Sequence, residues 1–209
     1  LKISSISNTD FTVGIAIGSH SDVVLSPSKK ETEDAGKQAL IHSLFPDEVN
    51  TWSYEESGKP YFNFRPEALS FSHSADVIAC QISKTITCGI DVQHYREKII
   101  RVAEKYLNEK ELQFISVVPE TDKIKTLTAM WSCKEALYKM YGKGFIDYIN
   151  RFSIQPFEPK SGMVTATADL GEGWHDYHFH IEFTDTFVLA FHVLSPLLPA
   201  NDSERIFDI

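Results

Sequence analysis

Apolar positions along the chain change period several times, and each change marks an element. Residues 11–17, FTVGIAI, form a nearly continuous apolar run of strand length. From Glu31 to Phe45 the spacing turns helical, with Leu40, Ile41, Leu44 and Phe45 as the apolar stripe and Thr32 as the expected N-cap. In EESGKPYF the Gly58-Lys59-Pro60 step is a turn signal and places Lys59 on a loop. VIACQIS, residues 77–83, reads as another strand, and ITCGIDV, 86–92, begins a third almost at once. Beyond Asp91 the pattern is helical, in REKIIRVAEKYL and then NEKELQFIS, the latter opened by Asn108 and Glu111 in a capping-box arrangement. A long helix is expected from about Asp122 to Tyr141, ended by Gly142 and Gly144. The remainder, RFSIQ, MVTATAD, YHFHIEF and TFVLAFHVL, is strand-like throughout. Strands and helices thus recur on each side of residues 84–88, which predicts two similar lobes.

Composition narrows the class. The chain has 209 residues, 43% hydrophobic and 12% aromatic, enough for an ordinary core in one large domain or two small lobes. A formal net charge of −9 argues against general nucleic-acid binding, though a local cluster of Lys and His can still hold an anion. Cys80, Cys88 and Cys133 form no CxxC and no paired framework, which suits a reducing cytoplasm. No apolar run approaches a membrane span and no charged-then-apolar leader is visible, in a chain that opens on Leu1.

Four stretches carry candidate chemistry. In TCGIDVQ, alternation puts Ile86, Cys88, Ile90 and Val92 on one face and Thr87, Gly89, Asp91 and Gln93 on the other. Asp91 and Gln93 then project side by side, either as a solvated strand edge or toward a cation. On the long helix the stripe runs Ile124, Leu127, Trp131, Tyr138, and its step after Trp131 is Glu135, with Lys139 one turn on. A carboxylate at a core position is costly unless a cation or a donor compensates it, so Asp91 and Glu135 together point to a shared cation. Cys133 points away from Glu135 and is not the expected nucleophile.

The third stretch, SFSHS at 70–74, has no nucleophile elbow, and strand neighbours face opposite ways, so Ser72 cannot use His73 as a base. Anion binding suits these residues better. In HDYHFHIE, the fourth, His175, His178 and His180 raise zinc; alternation turns Tyr177, Phe179, Ile181 and Phe183 inward, leaving His178, His180 and Glu182 on an expected solvated face.

Taken in order, these motifs resemble the 4'-phosphopantetheinyl transferases of the larger, surfactin-synthetase-activator (Sfp) type. The resemblance rests on Gly89-Ile90-Asp91, on Trp131-Ser132-Cys133-Lys134-Glu135-Ala136-Leu137-Tyr138-Lys139, on Gly58-Lys59-Pro60 and on Ser72-His73-Ser74, across residues 58–144. Glu135 follows Asp91 by 44 positions. The chain departs from the family pattern at Gln93, where a second acid is common, and at Leu69-Ser70-Phe71 before the S-H-S segment.

What the resemblance implies is transfer of the phosphopantetheine arm of coenzyme A to a serine of an apo acyl or peptidyl carrier protein, with release of 3',5'-ADP. Mg²⁺ would be held by Asp91 and Glu135, with Gln93 a third ligand directly or through water. Glu135 would be the general base, and Lys139 would face the diphosphate. Lys59, Ser72, His73, Lys134 and Lys37 would contact the coenzyme A. The implied fold is α+β: two pseudo-twofold-related lobes, residues 1–86 and 87–209, each a small antiparallel sheet on a long helix, with the cofactor in the cleft of a cytoplasmic monomer. A metal-dependent phosphohydrolase of a nucleotide, or a non-catalytic carrier-binding member of the fold, remain as the alternatives.

Overall fold

In a computed structural model, which describes residues 2–7, 11–17, 29–46, 51–84 and 87–194, the chain is α+β with two antiparallel sheets. Ile86 and the centre of the expected lobe boundary lie outside the described residues. The first sheet takes strands β1 (Lys2–Ser7), β2 (Phe11–Ile17), β3 (Trp52–Tyr54), β4 (Pro60–Phe62), β5 (Ala68–Ser74) and β6 (Val77–Ser83), in the order β1-β2-β6-β5-β4-β3. The second takes β7 (Ile90–His94), β8 (Phe152–Ile154), β9 (Gly162–Asp169), β10 (Trp174–Phe183) and β11 (Phe187–Val193), in the order β7-β11-β10-β9-β8. Helix α1 (Lys29–Leu44) covers the first sheet. The second is covered by α4 (Glu120–Tyr141), flanked by the short helices α2 (Lys98–Val102), α3 (Glu109–Val117) and α5 (Tyr148–Arg151). Because α1 starts at Lys29, Thr32 lies inside the helix and not at its cap.

Three apolar layers follow from strand alternation. Leu40 and Ile41 of α1 meet Leu69, Ile78 and Cys80 on the outer face of the first sheet. Val13, Ile15 and Val77 on its inner face meet Ile90, Val92, Leu189 and Phe191, so the two sheets pack on one another. Phe179, Ile181 and Ala190 on the far face of the second sheet receive Ala129, Met130, Cys133, Ala136 and Leu137 of α4.

This packing corrects the helix stripe expected from spacing. Leu127 is buried as expected, but Trp131, Glu135 and Tyr138 are only partly buried, and the apolar face that α4 turns to the second sheet is Ala129, Met130, Cys133, Ala136 and Leu137. It also corrects β10: His180 and Glu182 are buried because their face meets the first sheet and not water. Gly89 has a backbone reason to be glycine, since a Cβ there would come within 2.3 Å of the Ala136 carbonyl of α4.

The seam between the sheets is hydrogen-bonded side chain to backbone. Strand β7 is the edge of its sheet, and on the side away from β11 the N–H groups of Ile90, Val92 and His94 donate to the Oγ atoms of Ser70, Ser72 and Ser74 of β5, at 3.3, 3.1 and 3.1 Å. Every second residue of SFSHS thus satisfies an edge amide that would otherwise be buried unpaired. Gln81 adds a clamp, donating to the His192 carbonyl at 2.6 Å and accepting from Gly89 N at 3.0 Å.

Candidate active site

Strand β7 and helix α4 bring Asp91 and Glu135 to one place because both elements pack face to face. Asp91 pairs across the sheet with Ala190, which lies in the layer under α4, so its side chain points at the helix. It is 2% exposed. Oδ1 accepts from Lys139 Nζ at 2.8 Å and from Ser72 Oγ at 2.8 Å, whereas Oδ2 is buried with no hydrogen-bond partner. Lys139 Nζ also donates to the Ile90 carbonyl at 2.8 Å. Glu135 Oε1 accepts from the Tyr148 hydroxyl at 2.7 Å. Burial, and then the Asp91 charge, raise the Glu135 carboxyl above its ordinary value, against the pull of Tyr148 and Lys139. Gln93, two residues beyond Asp91 on the same strand face, is partly exposed.

Two carboxylates that repel one another, one with an orphaned buried oxygen, are a donor set of hard oxygens suited to Mg²⁺. Asp91 and Glu135 would hold it, with the Gln93 amide oxygen on the same side. Among the described residues no three His, Cys, Asp or Glu side chains gather as a metal cluster. That includes His175, His178 and His180: His178 bonds Thr165, and His180 faces Glu182 at 3.4 Å.

Beside this pair opens a cavity of about 200 Å³ lined by Lys37, Lys59, His73 and Lys139 among others. It joins both halves of the chain. Lys59, on the Gly58 turn, reaches across to the C-terminus of α4 and donates to the Met140 carbonyl at 3.4 Å. Its side chain lies so close to Gly142, whose φ is +60°, that a Cβ there would come within 2.7 Å of Lys59 Cδ. Lys37 is held by Asp34 at 3.2 Å and Tyr54 at 3.3 Å, and His73 by Glu33 at 3.1 Å. Four basic side chains thus line one small cavity in a protein of net negative charge, three of them paired with Asp34, Glu33 and Asp91, and they are the residues that could hold an anion.

Two residues expected at the cofactor lie elsewhere. Ser72 is buried in the seam and bonds Asp91 and Val92, because strand alternation turns it away from the cavity that His73 lines. Lys134 is fully buried on the far side of α4. Its Nζ meets Glu111 Oε2 and the Tyr106 carbonyl at 2.7 Å, the Tyr148 carbonyl at 3.1 Å and the Phe152 carbonyl at 3.2 Å, which leaves no proton for a cofactor. Cys133 is likewise enclosed, and burial pushes its thiol up, so it offers no thiolate.

Sequence reasoning missed Tyr148. In the structure Asp147 caps α5 through the N–H groups of Ile149 and Asn150 and so sets where Tyr148 lies. The Tyr148 ring packs against Trp131, Tyr138 and Phe152, with centroids 5.7, 5.9 and 5.3 Å away. It lines a second cavity of about 580 Å³ with Lys98, Lys105, Trp131 and the 92% exposed Phe145. Tyr138 borders both cavities.

Comparison with known proteins matches residues 87–192 to the model of the 4'-phosphopantetheinyl transferase superfamily. The chain is 30% identical over 119 residues to the 4'-phosphopantetheinyl transferase gsp of Aneurinibacillus migulanus, covering 56% of this chain and 49% of that protein. It is 26% identical over 152 residues to the 4'-phosphopantetheinyl transferase HetI of Nostoc sp., covering 62% and 64%. With the 4'-phosphopantetheinyl transferase Sfp of Bacillus subtilis it shares 25% over 149 residues, covering 63% and 66%. The chain therefore spans about half to two thirds of the length of these relatives.

Proposed function

Because the chain belongs to the 4'-phosphopantetheinyl transferase superfamily, we propose that it moves the phosphopantetheine arm of coenzyme A onto a serine of an apo acyl or peptidyl carrier protein. One observation carries the reading: Lys139 both pairs with Asp91 and lines the basic cavity, and so links the carboxylate to the candidate anion site. Lys37, Lys59 and His73 bind the coenzyme A phosphates there. Mg²⁺, when bound, neutralises the diphosphate and polarises the phosphoryl oxygens.

Glu135 takes the proton of the acceptor hydroxyl, a role its raised pKa suits. As the serine oxygen forms its bond to the β-phosphorus, the bond from that phosphorus to the bridging oxygen breaks and 3',5'-ADP leaves. Lys139 stabilises the charge that develops on the diphosphate. The acceptor approaches over the second cavity, because Tyr148 lines that cavity and bonds Glu135. Lys98 and Lys105 suit an acidic partner there.

The same reading takes residues 1–86 and 87–209 as two lobes of one monomer. Three buried, unpaired cysteines suit a reducing cytoplasm. Among the described residues no helix is long and apolar enough to cross a membrane.

The test incubates the protein with coenzyme A, Mg²⁺ and an apo carrier protein and weighs the carrier. A carrier heavier by one phosphopantetheine is the expected result. Coenzyme A cleaved with the carrier unchanged points to a phosphohydrolase; carrier and coenzyme A both unchanged point to a binding protein.

A further inference from the structure

Two hydroxyls touch the carboxylate pair, and the reaction as read above uses neither. Ser72 Oγ accepts the Val92 N–H at 3.1 Å, so its one proton is left for Asp91 Oδ1, 2.8 Å away. The Tyr148 hydroxyl donates to Glu135 Oε1 at 2.7 Å. In each case one carboxylate oxygen is taken. Asp91 Oδ2 has no hydrogen-bond partner, and Glu135 Oε2 has none among the described residues.

We propose that Ser72 and Tyr148 are the positioning residues of this centre: each pins one oxygen of its carboxylate and thereby presents the other to the divalent cation. The inference rests on the reading of Asp91 and Glu135 as the metal ligands. It assigns Ser72 to the metal pair and not to coenzyme A.

Both hydroxyls are themselves held. Ser72 sits in β5, paired with Ala79 of β6, and its lone-pair side is fixed by the Val92 amide. The Tyr148 ring is wedged among Trp131, Tyr138 and Phe152, while its backbone carbonyl is gripped by Lys134. The residue before Glu135 in the motif thus acts on Glu135 indirectly, by fixing the strand of chain that carries its hydrogen-bond donor. A carboxylate with one oxygen anchored loses its rotation about the terminal bond before the cation arrives, and partners of this kind are commonly worth about 10–100-fold in metal affinity.

The experiment titrates Mn²⁺ into the full chain saturated with coenzyme A and follows free Mn²⁺ by electron paramagnetic resonance. Ser72→Ala and Tyr148→Phe should each weaken Mn²⁺ binding by about tenfold or more, with the KM for coenzyme A unchanged. Ser74→Ala removes the same kind of seam bond, from His94 N, without touching a carboxylate. It should lower the melting temperature as Ser72→Ala does and leave Mn²⁺ affinity at the wild-type value. Wild-type Mn²⁺ affinity in both Ser72→Ala and Tyr148→Phe overturns the proposal alone. So does a raised KM for coenzyme A in Ser72→Ala with Mn²⁺ binding intact. A wild-type chain that neither binds Mn²⁺ nor modifies a carrier overturns the underlying functional reading, and this inference with it.

Discussion

Two lysines of helix α4 pair with carboxylates of other elements at nearly equal length, Lys134 with Glu111 at 2.7 Å and Lys139 with Asp91 at 2.8 Å, and their surroundings are opposite. In the first, side chains are 0% and 1% exposed, and the ammonium and both carboxylate oxygens all have partners. Glu111 Oε2 also accepts the Asn108 N–H, and Oε1 accepts the Ile154 N–H, both at 2.7 Å, so the capping box of α3 and the end of β8 close on the same carboxylate. In the second, Lys139 is 24% exposed and Asp91 keeps one oxygen without a partner. The distance within an ion pair therefore says little about its role. A closed polar network fixes the chain around it, whereas an open one leaves a carboxylate oxygen for a further partner to satisfy.

Breaking the closed pair should have the largest effect. Lys134→Met leaves Glu111 charged and buried without its cation, and is expected to lower the unfolding free energy by about 3–5 kcal/mol, read by urea denaturation. Adding Glu111→Leu to that variant should restore only part of the loss, because it removes the lone charge but also the acceptor of the Asn108 and Ile154 N–H groups. A single variant within 1 kcal/mol of wild type would mean the network is not structural.

Breaking the open pair should spare the fold. Asp91→Asn keeps the shape, and its melting curve should stay near wild type while carrier modification slows by about 10²–10³-fold, the scale of removing one preorganised electrostatic group. Gln93→Ala should cost less than about tenfold, because it brings no formal charge to the cation. Equal losses in the two variants would put Gln93 in the chemistry.

A smaller change is expected at the rim of the open site. Lys59→Ala should raise the KM for coenzyme A by about tenfold with kcat nearly kept, as for a contact made equally in ground and transition states. A loss confined to kcat would move Lys59 to the reacting phosphorus.

The smallest effect sharpens the contrast by its sign. Glu135 has a folded-state pKa raised above its ordinary 4.5. The folded chain then binds more protons than the unfolded one in that window, and stability falls as pH rises through it. In metal-free protein Glu135→Gln should therefore melt above wild type at neutral pH, with the margin shrinking as pH falls toward 4.5, whereas Glu111→Gln should destabilise throughout. Mg²⁺ should stabilise the wild type and not Glu135→Gln. Identical melting of wild type and Glu135→Gln across the range would remove the strained carboxylate from the account.

How much was legible differs from motif to motif. The capping box at Asn108 and Glu111, the αL stop at Gly142 and the shared strand face of Asp91 and Gln93 are local, and the structure contains the first two as read, with side-chain and backbone bonds in place. SFSHS was legible only by half: alternation separated Ser72 from His73, yet nothing near residue 72 announces that Asp91 lies across the seam. Lys134 and Lys139 flank one motif and look alike in sequence. Their fates were set by Glu111 and three carbonyls on one side of α4 and by Asp91 on the other.

By itself, then, the sequence determined the periods, caps and faces of the elements, because these depend on neighbours within a few residues. It also placed Asp91, Glu135, Lys59 and His73 in motifs whose order pointed to one family. Tertiary structure alone decided what covers each face: that His180 and Glu182 of β10 meet the first sheet, that the β5 serines serve the amides of β7, and that Tyr148 closes on Glu135. The physical reason is that a pattern fixes which side of an element is apolar or polar. Whether a polar side chain on that face finds water, a partner or an empty valence is settled by segments far away in the chain.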